Sequence, residues 1–258
     1  MPELPDLEVF QQNLSKVLLK KKLQEIEVPV AKKLNVTLPA LKKALVGQTL
    51  TDIRRSGKEL HFIFGKTHVL GMHMMLHGKL YLLKPGEEQK FTIALLHFSG
   101  GHTLALTDFQ RAAAITLDPP EKEAPDAFSK DFNAEWLTAA LAKKKTTIKK
   151  FLTDQKQVLG IGNAYADEIL YTARVSPFSI CSKIPEKKVA DVANAVKKVL
   201  KDAITKINKT HPGIIAGEVR DFMQVHVPKK EKSPGGYPIK HLDKGGRTYF
   251  TDEQELYK

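Results

Sequence analysis

The hydrophobic patterning of this chain changes period once, and that change restricts the fold more than any other feature. Residues 24–117 are dominated by short apolar runs, at 61–64, 68–76, 79–83, 91–98, 103–109 and 112–117. Gly65, Gly78, Pro85-Gly86 and Gly100-Gly101 separate them. Short strands at regular spacing with turn residues between them predict a β-sandwich or barrel-like domain. One amphipathic helix precedes them, with Leu7, Phe10, Leu14, Val17 and Leu18 at helical spacing. After the proline-rich linker at 118–125 the period becomes helical. Trp136, Leu137, Ala140 and Leu141 share one face, and Ile148, Phe151 and Leu152 another. Pro185 opens a long helix whose stripe includes Val189, Val192, Val196, Leu200, Ala203 and Ile207. From residue 224 the periodicity is lost, and turn signals at Pro234-Gly235-Gly236 and Gly245-Gly246 suggest a β-hairpin. The expected class is α+β: residues 1–125 form a helix plus β-sandwich, 126–223 a helical domain, and 224–258 the hairpin.

Charge narrows the partners. Lys and Arg number 41 against 29 Asp and Glu, a formal net charge of +12. Such an excess favours a polyanion, nucleic acid first and an anionic membrane surface second. Cys181 is the single cysteine, which excludes a disulfide framework and a thiolate zinc cluster. The apolar run Val17-Leu18-Leu19 is cut off by Lys20-Lys21-Lys22, and no signal sequence or spanning segment is present. The expectation is a soluble, cytoplasmic, nucleoid-associated monomer.

The start of the chain, Met1-Pro2-Glu3-Leu4-Pro5-Asp6, carries candidate chemistry. Removal of Met1 leaves Pro2 with a free secondary amine beside a carboxylate. Roughly a fifth to a third of a typical terminal amine is unprotonated near neutral pH, far more than of a lysine. Such an amine is a nucleophile toward a sugar carbon, with Glu3 available to move protons. In the helical half, Gly160 and Gly162 flank a turn where backbone amides can approach a phosphate. Asn163 opens a helix whose positive dipole end favours anions. Lys143, Lys144, Lys145, Lys149 and Lys150 add mobile positive charge nearby.

Four segments in this order resemble the formamidopyrimidine-DNA glycosylase and endonuclease VIII family of base-excision repair enzymes. They are Pro2-Glu3-Leu4-Pro5, Arg54-Arg55-Ser56-Gly57-Lys58, residues 143–177, and Gly246-Arg247-Thr248-Tyr249-Phe250. The third, with Gly160-Ile161-Gly162-Asn163, resembles the family's helix–two-turn–helix. The resemblance implies a bifunctional DNA glycosylase and AP lyase acting on damaged DNA, double- or single-stranded, without a cofactor. It implies that Pro2 attacks the anomeric carbon of a flipped-out nucleoside and that Glu3 assists ring opening and proton transfer. Lys58 matches a lysine that contacts the sugar-phosphate, and Arg247 an arginine that grips phosphates around the lesion. It also implies DNA contacts for Lys90, Arg111, Lys144, Lys149 and Asn163.

Departures from the family are expected to matter. The C-terminal region has no cysteine, and its nearby histidines, His226 and His241, are too few for a zinc site, so a zinc-less finger held by packing and hydrogen bonds is expected. His73 and His77 are read as structural or DNA-facing. The family's void-filling methionine, arginine and phenylalanine correspond to Leu76, Gln110 and Ala112, a shorter and less aromatic wedge. That predicts a preference for poorly paired, bulky or single-stranded lesions. The stretch from Thr210 to Val225 is too short for a long base-capping loop, and Asp6 receives no role. Two rival readings stay open. One is a catalytically silent binder of damaged DNA, against which Pro2 and Glu3 argue. The other is a structural RNA-binding protein, which leaves the β-rich half unexplained.

Overall fold

The computed structural model describes residues 1–31, 34–243 and 246–258, so Gly245 of the second glycine pair lies outside the described residues. The chain divides into two compact units. The first comprises Met1–Glu121 and Ile207–Glu218, the second Lys122–Lys206 and Val219–Lys258. This partition differs from the three parts expected above. The hairpin region lies in the second unit, and 207–218 packs back on the first, where Asn13 Nδ2 donates to the Ile214 carbonyl at 2.9 Å.

The first unit opens with α1 (Leu4–Leu18), whose buried side, Leu4, Leu7, Phe10, Leu14 and Leu18, faces the core. It continues with β1 (Leu23–Glu27), α2 (Leu38–Leu45), β2 (Leu50–Ser56), β3 (Glu59–Phe64) and β4 (His68–His73). The strands β5 (Lys79–Leu83), β6 (Thr92–Phe98), β7 (His102–Thr107) and β8 (Ala114–Leu117) complete it. Two four-stranded antiparallel sheets result, in the orders β1-β6-β7-β5 and β2-β3-β4-β8. The sandwich expectation therefore holds. Alternation along β3 sends Leu60, Phe62 and Phe64 inward, and Phe64 stacks on Phe98 of the other sheet with centroids 6.3 Å apart. The observed strands are shorter than several of the expected runs, because residues 74–76, 91, 108–109 and 112–113 lie in loops.

Helix α2 and strand β1 are additions to the sequence reading. Thr37 caps α2, accepting from Ala40 N, and Pro39 stands in its first turn. Strand β1 shows little alternation because its pairing with β6 shifts register between Leu23 and Glu25.

The second unit contains α3 (Ala134–Leu141), α4 (Ile148–Thr153), α5 (Asn163–Thr172) and α6 (Glu186–Thr210), whose last turn belongs to the first unit. Asn133 caps α3 by accepting from Trp136 N at 2.9 Å, and Trp136 lies between the rings of Phe132 and Phe151. The antiparallel strands β9 (Lys240–Leu242) and β10 (Thr248–Phe250) form the expected hairpin. Among the described residues no helix is long and apolar enough to cross a membrane.

Candidate nucleic-acid site

Register brings the candidate residues of the first unit to one end of the sandwich. Strands β2 and β3 meet at a two-residue turn, Gly57-Lys58, next to the Ser56–Glu59 pair. Gly57 has φ +58°, a conformation this hairpin needs at its first central position and that glycine adopts without strain. Leu60 faces Met72, and His73 faces Ala114, so the loops 74–78 and 109–113 leave the sheet at that same end. In the other sheet Thr107 faces both Lys79 and Thr92, which places residues 77–78, 91 and 108 there as well.

The amino terminus is fixed by α1. Glu3 is the helix N-cap, and its N–H donates to Asp6 Oδ2 at 2.9 Å while its own carboxylate accepts from the Asp6 N–H. Asp6, given no role above, is thus the partner that fixes the backbone next to Pro2. The Glu-x-x-Asp spacing before an apolar run is the signal that reveals it. Pro2, Glu3 and Asp6 are all buried. The Met1 ammonium pairs with Glu218, from the stretch between Thr210 and Val225. Lys58 is buried too, and desolvation holds its ammonium below the ordinary lysine range, with the Glu3 charge acting in the opposite direction. Arg55 Nε donates to Glu8 Oε2 at 2.9 Å, tying β2 to α1 beneath this group. Glu3, next to Pro2, and Lys58 are therefore both buried and within electrostatic reach of each other.

The loops at this end are held tightly. The buried Asp108 carboxylate accepts from the N–H groups of Gln110, Ala112 and Ala113, and Asp108 N donates to the Phe91 carbonyl at 2.9 Å. His73 Nδ1 accepts from Met75 N at 2.9 Å, which leaves the proton on Nε2 in the neutral ring. Leu76, Gln110, Arg111 and Lys90 are exposed. Outside the expected wedge positions the tip carries one aromatic ring. Phe109 is 57% exposed and packs against the His77 ring with centroids 4.6 Å apart. The aromatic side chain absent at Ala112 is present three residues earlier.

In the second unit, Gly162 caps α5, Asn163 is its first residue, and Asn163 is exposed. A Cβ on Gly246 would come within 3.4 Å of the Asn163 amide, so Gly246 lies against this helix start. Arg247 beside it is exposed, and its Nε donates to Asp243 Oδ1 at 3.0 Å, an interaction that raises its pKa and keeps it cationic. A groove of about 330 Å³ runs along this surface, lined by Lys150, Thr147, Thr153, Asn163, Phe178 and Thr248. Lys144 is exposed on the turn between α3 and α4.

Lys149 corrects the sequence reading, which gave it mobile charge. It is buried, and its Nζ lies 2.7 Å from Asp167 Oδ1 while donating to the Arg247 carbonyl at 2.9 Å and Thr248 Oγ1 at 2.8 Å. Asp167, fully buried on α5, also receives Tyr249 N at 2.9 Å and His226 Nδ1 at 2.7 Å. Its neighbour Glu168 accepts from the N–H groups of Gln224, Val225 and His226. Two adjacent buried carboxylates thereby attach the hairpin and residues 224–226 to α5. Acidic residues within an otherwise apolar helical stretch are the sequence sign of this arrangement. Among the described residues, no group of three or more His, Cys, Asp or Glu side chains is placed to hold a metal ion. Burial pushes the Cys181 thiol up to about 11, so it is no nucleophile near neutrality.

Comparison with known proteins follows the same division. Residues 1–115 match the family model of the formamidopyrimidine-DNA glycosylase N-terminal domain, and residues 124–212 that of the formamidopyrimidine-DNA glycosylase H2TH domain. The formamidopyrimidine-DNA glycosylase of Streptococcus pneumoniae strain R6 is 30% identical over 267 residues, covering 97% of each chain. That of Carboxydothermus hydrogenoformans is 31% identical over 202 residues, 78% of this chain and 76% of its own. A solved complex of Lactococcus lactis Fpg with abasic-site DNA superposes at a TM-score of 0.89, with 25% identity over 98% of this chain and 100% of that one.

Proposed function

Because the chain belongs to the formamidopyrimidine-DNA glycosylase family, a family of DNA N-glycosylases with AP lyase activity, we propose that it excises damaged bases through a Schiff base on Pro2. The observation that supports this most is that the buried Lys58 ammonium feels the charge of buried Glu3, the residue after Pro2, at a helix start fixed by Asp6. Once Met1 is removed, the Pro2 nitrogen attacks C1′ of an extruded nucleotide, and the base departs with the bonding electron pair and takes up a proton. Glu3 assists opening of the sugar ring. The iminium that remains is an electron sink, so loss of a C2′ proton expels the 3′ phosphate by β-elimination. Lys58, as an ammonium in a desolvated setting, neutralises the sugar-phosphate and returns protons.

The exposed Arg247 and Asn163 suit phosphate binding: the first offers a planar fork, the second stands at a helix N-terminus. Lys144, Lys150, Lys90 and Arg111 add contacts that depend on ionic strength. With Ala112 small and Gln110 uncharged, fewer contacts offset the opening of a well-paired site. This favours lesions that are poorly paired, bulky or in single strands.

The test is a panel of end-labelled oligonucleotides, each with one defined lesion, assayed for base release and strand scission. The reading expects both activities, strongest on destabilised or unpaired lesions, with Glu3→Gln losing base release while still nicking preformed abasic sites. Absence of base release across the panel would defeat it.

A further inference from the structure

Four of the large hydrophobic side chains that stand exposed among the described residues, Met75, Leu76, Phe91 and Phe109, sit on the three loops at the end of the sandwich that carries Glu3 and Lys58. The backbone of these loops is strained at three positions. Met75, Phe91 and Arg111 have positive φ, at +51°, +61° and +53°, although none is glycine. Such conformations persist only where surrounding structure enforces them. Here the enforcement is the three amide hydrogen bonds into buried Asp108 and the Asp108 N–H to the Phe91 carbonyl. Gly78 completes it, because any Cβ there would collide with the Met74 carbonyl oxygen. The scaffold thus holds an apolar tip rigidly in solvent, with Phe109 supported from one side by the His77 ring. Exposed Lys90 and Arg111 flank the tip.

An apolar tip between cations fits a base stack, whose faces are apolar and whose edges carry phosphate. Resting on the glycosylase reading above, we propose that Phe109 is the side chain of this enzyme that enters the helix beside the extruded nucleotide. It stacks on the neighbouring base, with His77 behind it. Phe109 then does the work that the small Ala112 leaves undone, and it keeps duplex DNA within the substrate range. Aromatic stacking on a base corresponds to roughly a five- to hundredfold effect and tolerates any base.

The test uses the full chain and a duplex carrying a tetrahydrofuran abasic analogue next to 2-aminopurine. Fluorescence of that base reports stacking without requiring any chemistry, so it reads the wedge even if the Schiff-base reading fails. Phe109→Ala should abolish the fluorescence change that the unaltered protein produces, and Phe109→Trp should restore it. In parallel, the ratio of duplex to single-strand cleavage at an abasic site should fall roughly five- to hundredfold in Phe109→Ala. Val46→Ala, an exposed apolar residue elsewhere on the same unit, should leave both readouts unchanged. A Phe109→Ala protein with an unaltered fluorescence response and cleavage ratio would overturn the proposal. So would a loss equal on duplex and single strand.

Discussion

Replacing Asp167 with Asn tests how the hairpin that carries Arg247 is held. Lys149 Nζ lies 2.7 Å from Asp167 Oδ1, and the Asp167 carboxylate accepts from His226 Nδ1 at 2.7 Å and Tyr249 N at 2.9 Å, at a site shut off from water. Asparagine keeps one acceptor oxygen but presents an NH2 group to a set of donors, and it takes the Asp167 charge away from the buried Lys149 ammonium. Removing one partner of a buried ion pair costs about 3–5 kcal/mol, because the remaining charge is no longer compensated. For a chain of this size each kcal/mol moves the melting temperature by about 2–4 °C, so Asp167→Asn should lower Tm by about 6–20 °C. The double variant Asp167→Asn/Lys149→Met removes the stranded charge and should recover at least half of that loss. The assay is thermal unfolding followed by circular dichroism, together with DNA binding across a salt series. Disengaging Arg247 from phosphate should reduce the salt slope by about 1. A shift within about 2 °C in the single variant, or additive losses in the double, would refute the reasoning.

Three further outcomes follow from the geometry. Lys58 titrates below the ordinary lysine range, so a step needing its ammonium should fail as pH rises through that lowered value. Lys58→Arg, always protonated, should cleave abasic DNA more slowly yet lose this alkaline limb in a pH–rate profile; a limb that persists counts against Lys58. Gly78→Ala forces a methyl group onto the Met74 carbonyl and should cost about 1–3 kcal/mol by urea unfolding, with a fall in duplex cleavage. Alkylation with iodoacetamide at pH 8 should leave activity intact, since the single thiol, Cys181, is buried and protonated.

Much of the architecture was legible because burial imposes period. Leu60, Phe62 and Phe64 alternate inward, and Val189 to Ile207 repeat at helical spacing, so sheets and helices announced themselves. Strand β1 escaped because a register shift breaks its alternation, and α2 because it is short and buries only Leu41 and Leu45. The amine and acid at the amino terminus were readable from residue type, whereas Lys58 stood out only through the family resemblance. The role of Lys149 was not. Within a run of lysines it looks like the others, and only the fold supplies Asp167 opposite it. Phe109 was hidden for a related reason. Its ring counts as core in a linear reading, whereas the hydrogen bonds of Asp108 turn it outward.

One measurement bears most directly on the whole scheme: sodium borohydride reduction of the protein mixed with an abasic-site duplex, followed by peptide mass spectrometry of any adduct. The expected product is a stable covalent complex in which Met1 is missing and deoxyribose is attached to the nitrogen of Pro2. An adduct mapped to a lysine, or efficient base excision by protein that still carries Met1, would contradict it.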